Sequence, residues 1–286
     1  NNIEQNSELV AHYIEAGADF LKTYSELSPE AYKSLAKEAQ ARGLNIAGHR
    51  PLRISLPEAI EANQQSIEHP RLFLFECFDG AQKFRELPDP IAAYDTHFRR
   101  QLVDGHDPVR CKALMQDMSA STTYWTPTLQ VLQMSARAGD SGFREDPRLK
   151  YVPFILNEGM WQGDADQSAN RARDKKGRNI DVEMYQLAKK SLVQAHETGV
   201  KLLAGTDAGD SYVFPGFSIH QELEQYVEAG ISPEDTIRIA TIEAARFSNL
   251  DQEYGSIKVG KVADILVLRS NPLADIRNTQ KIEGLV

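Results

Sequence analysis

Four residues have the types that hold or activate oxygen and nitrogen ligands, and they occupy equivalent places in the chain. They are Lys22 in "FLKTY", His49 in "AGH", His69 in "IEH" and Asp207 in "LAGTDAGD", each at the end of a short apolar run. Neutral imidazoles and carboxylates ligate borderline divalent ions such as zinc. An ammonium cannot, but a buried lysine can lose its proton. Its neutral amine can then add carbon dioxide to give a carbamate, in effect a carboxylate able to bridge two metals. Asp207 could bind a metal and also take a proton from water, whose pKa such ions lower. Taken singly, a strand-end lysine is usually a solvated charge and a lone histidine a packing residue, which is the reading given to His12, His97, His106 and His196. Four metal-compatible residues closing four different segments in one order carry the metal-site expectation.

The elements that must position these residues repeat. An amphipathic helical stretch, a glycine or polar break and a short apolar strand recur five times. "ELVAHYIEAG" leads into "ADFLKTY" and ends near Lys22. "SPEAYKSLAKEAQARG", with Ser28 as cap and Pro29 at the first helical position, leads into "LNIAGH" and ends at His49. "SLPEAIEAN" carries a capping box from Ser55 to Glu58 and leads to His69. "CKALMQDMSAS" precedes "TTYWTPT", ending near Thr126 and Thr128, and "YQLAKKSLVQAHETG" precedes "VKLLAGTDAG", ending at Asp207. Such alternation predicts a parallel sheet with helical crossovers. No glycine-rich phosphate loop follows the first strand, which argues against a doubly wound sheet. The expected fold is a TIM-like (β/α)8 barrel, whose functional groups gather at the C-terminal ends of its strands.

Five strands are countable where the closed barrel needs eight, so strands 4 to 8 are expected here and the first three units upstream of Asn1. Insertions are expected at about 70–120, with "RLFLFECFDGAQKF" as one helix, and at about 130–185, because Thr128 and Asp207 stand 79 residues apart. The barrel portion is placed at residues 1–250. Residues 251–286, with turn glycines and the run "ADILVL", read as part of a small β unit.

Of the 286 residues, 41% are hydrophobic, and the formal charge is −9. That leaves no basic footprint for nucleic acid, and no apolar run reaches the length of a membrane span. A soluble protein acting on a small molecule is expected, without nucleic-acid or membrane partners and with its compartment open. Cys77 and Cys111 have no metal-type spacing and are read as ordinary packed thiols.

The ordered set "FLKTY", "AGH", "IEH" and "GTDAG", followed by "HQELEQYVEAGISPEDTIRIAT" and "GSIKVGKVADILVLRSNPLADI", resembles the amidohydrolase superfamily. The groups most similar are those related to imidazolonepropionase and the bacterial Xaa-Pro dipeptidases. The resemblance implies a binuclear centre, with zinc as the expected metal, that activates water to hydrolyse an amide C–N bond. A small dipeptide-like or cyclic amide is the implied substrate, with an ester or lactone as the alternative. It makes Lys22 the carboxylated bridging lysine of strand 4, His49 and His69 the ligands of strands 5 and 6, and Asp207 the strand 8 ligand and general base. Arg50 is a candidate for gripping a substrate carboxylate, and His220 for lining the pocket. One family motif is missing: no His-x-His pair occurs. It is expected from a segment upstream, or from a partner chain, in which case this chain is a non-catalytic module; self-association is a further possibility.

Overall fold

The computed structural model describes residues 3–171 and 173–286. Two compact units divide it. One runs to Thr126 and includes Glu197–Lys201; the other comprises Pro127–His196 and Leu202–Val286.

In the first unit, strands β1 (Phe20–Thr23), β2 (Asn45–Gly48), β3 (Ser66–Glu68) and β4 (Tyr124–Thr126) form a parallel sheet in chain order, with Lys201 of β5 (Lys201–Leu202) next to β4. Register pairs Lys22 with Ala47, Gly48 with Ile67, and Glu68 with Thr126. The helices of this unit are α1 (Asn6–Glu15), α2 (Pro29–Ala41), α3 (Leu56–Glu61), α4 (Arg71–Glu76), α5 (Ala81–Arg85), α6 (Thr96–Asp104) and α7 (Pro108–Ser119). The expected start signals act as read. The Ser28 hydroxyl accepts the Ala31 N–H at 3.2 Å with Pro29 in the first turn. Ser55 and Glu58 form the reciprocal capping box, the Glu58 carboxylate accepting the Ser55 N–H at 2.9 Å.

Tyr32, Leu35, Ala36 and Ala39 form the buried face of α2, while Ile46, Ala47, Ile67 and Trp125 carry the sheet side of the core. Buried Gln64 joins these layers. It accepts from the Tyr32 hydroxyl at 2.8 Å and donates to the carbonyls of Gly48 (3.0 Å) and Ser66 (2.9 Å). Gly48 itself is required: its φ is +108°, and a Cβ there would stand 2.8 Å from the Thr23 carbonyl oxygen and 2.9 Å from Lys22 Cγ.

Two expectations in the first insertion are corrected. The stretch "RLFLFECFDGAQKF" is two short helices, α4 and α5, because the chain turns at Cys77–Gly80. Cys77 and Cys111 are also not packed thiols but a buried disulfide, with Cα atoms 4.7 Å apart. The bond ties the end of α4 to α7 across 34 residues, a proximity that spacing alone does not reveal. Closing a loop of that length restricts the unfolded chain by about 3–4 kcal/mol. Replacing both cysteines by alanine is therefore expected to lower the unfolding free energy by about that amount, read from urea curves of the oxidised wild type and the double variant.

The second unit has a core of Met134, Ala138, Trp161, Ala165, Tyr212 and Phe214, which packs α8 (Leu129–Arg137) against helix Gln162–Arg171 and the loop after Asp207. The tail, read from the sequence as part of a small β unit, is a two-stranded antiparallel sheet of β6 (Leu266–Leu268) and β7 (Ile282–Leu285). Among the described residues, no helix is long and apolar enough to cross a membrane.

Glu222 does unusual work in this unit. Fully buried on helix Ser218–Ala229, its carboxylate accepts the N–H groups of Leu129 (2.7 Å) and Gln130 (3.1 Å) and so caps α8 from a distance. Thr128, at the cap position, makes no side-chain cap bond. Burial pushes the Glu222 carboxyl up to about 8 from its ordinary 4.5, outweighing the two N–H donors that pull it down. Folding therefore takes up a proton between those two values, and stability falls as pH rises across that window. The slope approaches about 1.4 kcal/mol per pH unit. Glu222→Gln is expected to flatten this descent in urea unfolding curves taken between pH 5 and 8.

Candidate metal and substrate site

The ends of β1, β2 and β3 bring three of the sequence-expected residues together. Lys22 Nζ stands 3.1 Å from a Glu68 carboxylate oxygen. The same oxygen is 3.9 Å from His49 Nδ1 and 4.0 Å from His69 Nε2. The two imidazole rings are 4.4 Å apart at their centroids, and Tyr24 packs on His49 at 4.2 Å. One ligand atom each from His49, Glu68 and His69 fall within 4.8 Å of one another. Glu68 was not among the expected residues; its signal in the sequence is a charge set into an otherwise apolar strand, immediately before a histidine.

Backbone geometry holds the histidines in place. The Thr23 hydroxyl donates to the His49 carbonyl at 2.7 Å, and the His49 N–H donates to the Thr23 carbonyl at 3.1 Å. His69 lies in the left-handed region with φ +76°, a conformation that costs a non-glycine residue energy and persists only where its surroundings enforce it. Strand β4 supplies that enforcement. The His69 N–H donates to the Thr126 carbonyl at 2.8 Å, and the Trp125 indole N–H donates to the His69 carbonyl at 2.9 Å.

Burial, with smaller contributions from His49, Arg71 and Lys22, lowers the His69 pKa to about 3. Its imidazole is therefore neutral at physiological pH, the form that ligates metal. Two imidazoles and a carboxylate converging at this distance fit a divalent, zinc-like ion. Lys22 stands at the rim, half exposed and ion-paired with Glu68.

Arg50, directly after His49, is buried with Glu76. One guanidinium nitrogen lies 3.2 Å from the Glu76 carboxylate, and Arg85 lies 3.0 Å from the same oxygen. Arg50 also lines a cavity of about 240 Å³ that opens beside His49, Glu68 and His69 and continues between Leu72 and Phe75 of α4, Phe84 of α5, and Tyr94.

Asp207 and His220 belong to the second unit. Asp207 is left-handed like His69, with φ +60°, and its carbonyl accepts the Asp210 N–H at 3.0 Å. The loop before it is anchored at both ends. The Tyr226 hydroxyl donates to the Leu203 carbonyl at 2.9 Å, and the Ser218 hydroxyl donates to Thr206 Oγ1 at 3.1 Å. His220 bonds Thr279 Oγ1 through Nδ1 at 3.0 Å and lines a separate cavity of about 510 Å³ within that unit, walled by Leu223, Tyr254 and the tail strands.

A parallel α/β sheet with metal-compatible side chains at its C-terminal strand ends, followed by a small antiparallel sheet, is the architecture of part of a TIM-like barrel with a small β unit after it. Residues 174–285 match the sequence model of the amidohydrolase family. Solved structures show that the remainder shares the same fold. The whole chain superposes on bottromycin amidohydrolase with a TM-score of 0.71 at 19% identity, covering 58% of that chain. On a Xaa-Pro dipeptidase with methionine bound in its active site, the TM-score is 0.60 at 20% identity, again over the whole chain and 57% of the other. On A. niger ochratoxinase it is 0.55 at 17% identity, covering 53% of that protein. The chain thus spans little more than half the length of these relatives. No curated protein matches it.

Proposed function

We propose that the protein is a metal-dependent amidohydrolase that hydrolyses the C–N bond of a small amide, dipeptide-like or cyclic. The observation that carries this reading is the His49, Glu68 and His69 donor set at the strand ends of an amidohydrolase fold. A divalent ion held there supplies Lewis acidity toward the amide carbonyl and makes water a stronger acid. The chain's own residues do the rest. His49 and His69 would present imidazole nitrogen donors, Lys22, if carboxylated, would be a further ligand, and Asp207 would take the proton that the attacking water gives up. The cavity beside the histidines takes the substrate. Ester hydrolysis is the neighbouring reaction, since an activated water attacks either carbonyl. The Cys77–Cys111 disulfide supports maturation in an oxidising compartment.

Elemental mass spectrometry on protein purified without chelator, together with turnover of Xaa-Pro dipeptides, cyclic amides and matched esters, tests this. Bound divalent metal that is lost in a His49→Ala, His69→Ala double variant, with amide turnover, is the expected result. Turnover confined to esters would transfer the reading to an esterase or lactonase. Neither metal nor turnover would overturn it and leave a non-catalytic module.

A further inference from the structure

The cavity beside the histidines has a composition that selects its occupant. Its walls are Leu52, Leu72, Phe75, Phe84, Ile91 and Tyr94, and its polar residues are mainly at the histidine end and in two arginines, Arg50 and Arg71. Phe75 and Phe84 stack with centroids 5.0 Å apart, and Phe75 meets Tyr94 at 5.7 Å, so the wall is an ordered aromatic surface. The volume is about 240 Å³. An apolar cavity of about 150 Å³ admits benzene, so this one admits a single aromatic ring with a short polar appendage and little more.

Charge decides the appendage. Glu68 is the one acid among the described residues lining the cavity, and Lys22 is paired with it. Deeper in, two guanidiniums, of Arg50 and Arg85, share the single carboxylate of Glu76, leaving one positive charge in excess. The Arg50 Nε–H is buried without a hydrogen-bond partner. Arg71 adds a second excess cation. Its guanidinium lies over the Tyr94 ring, 5.5 Å from the centroid, and it enters no ion pair among the described residues. A guanidinium held over a ring by cation–π attraction can still turn N–H groups toward a carboxylate and bond it in bidentate fashion.

We propose that this cavity is a binding site for an aromatic carboxylate: the ring lies against Phe75 and Phe84, and Arg71 holds the carboxylate. Arg71 is thereby a specificity-determining residue. The proposal rests on the amidohydrolase reading only in making the ligand part of an amide substrate, one whose ring and carboxylate flank the scissile nitrogen.

The test uses ligands that cannot be hydrolysed. Calorimetric titration of the protein as purified with 3-phenylpropanoate, 3-phenylpropan-1-ol and butanoate separates the contributions of charge and ring. Phenylpropanoate is expected to bind at least about tenfold more tightly than either of the others, a charge-assisted bidentate pair and a buried ring each supplying that much. Arg71→Gln, at an exposed position, is expected to remove the advantage over the alcohol while leaving the alcohol's own affinity unchanged. A purely structural role for Arg71 would shift both. Equal affinity for the three ligands, no binding of phenylpropanoate, or binding that is abolished by chelator yet indifferent to Arg71→Gln would each overturn the proposal. Amide turnover without preference for ring or carboxylate would sink it and spare the hydrolase. Binding as expected in a protein that hydrolyses nothing would do the reverse.

Discussion

Asp207→Asn is expected to lower amide turnover by about 10³-fold or more, the range set by loss of a general base together with a metal ligand. The fold is expected to survive. Asp207 sits at φ +60°, where asparagine is among the few residues tolerated at little cost, and the size and shape of the side chain are kept. The Asp210 N–H bond to the residue 207 carbonyl and the Tyr226 anchor on Leu203 involve no atom that changes. Asp207→Ala would confound the result by placing a residue poorly suited to the left-handed region at the same point. Steady-state kcat on the best amide substrate, with thermal unfolding by circular dichroism as the control, gives the answer. Retained turnover with an unchanged melting curve would remove Asp207 from the role of proton acceptor.

Glu76→Ala carries the largest expected effect on stability. The Glu76 side chain is 1% exposed and compensates Arg50, 5% exposed, and Arg85, 15% exposed. Removing one member of a buried ion cluster strands the charge that remains, at a cost of about 3–5 kcal/mol. Here two guanidiniums lose the buried counter-charge they share, and burial already pulls the Arg50 pKa below its usual range, so the upper part of that range is expected. Glu76→Gln keeps an acceptor oxygen for one arginine and is expected to cost less. Urea unfolding of the three proteins ranks them. A loss below about 1 kcal/mol for Glu76→Ala would mean that water reaches the cluster and that the pair behaves as a surface bridge. Arg50 lines the cavity beside the histidines, so Glu76 also fixes the position of a residue that a ligand there would meet.

Much of this architecture follows from local chemistry. The caps at Ser28 and Ser55, with proline in the first turn of each helix, need only residues three positions apart. Short apolar runs between amphipathic helices leave a parallel sheet as the outcome, and the order Lys22, His49, His69 puts each residue at or near a strand end because every unit closes the same way. The left-handed backbones at His69 and Asp207 had only a weak signal, since aspartate and histidine enter that region more readily than most residues but rarely, and the enforcing partners of His69 lie on β4.

Sequence alone determined the helix–strand alternation around β1 to β4, the positions of Lys22, His49 and His69 at or beside strand ends and a β-rich tail, because helix caps, turn glycines and hydrophobic period act over a few residues. Tertiary structure decided the Cys77–Cys111 bond, the sharing of Glu76 by Arg50 and Arg85, the entry of Glu68 among the histidines and the aromatic wall beside them. Most of these contacts join side chains nine or more residues apart, and such pairs exist only once the helices after β3 have folded back onto the sheet and excluded water between them.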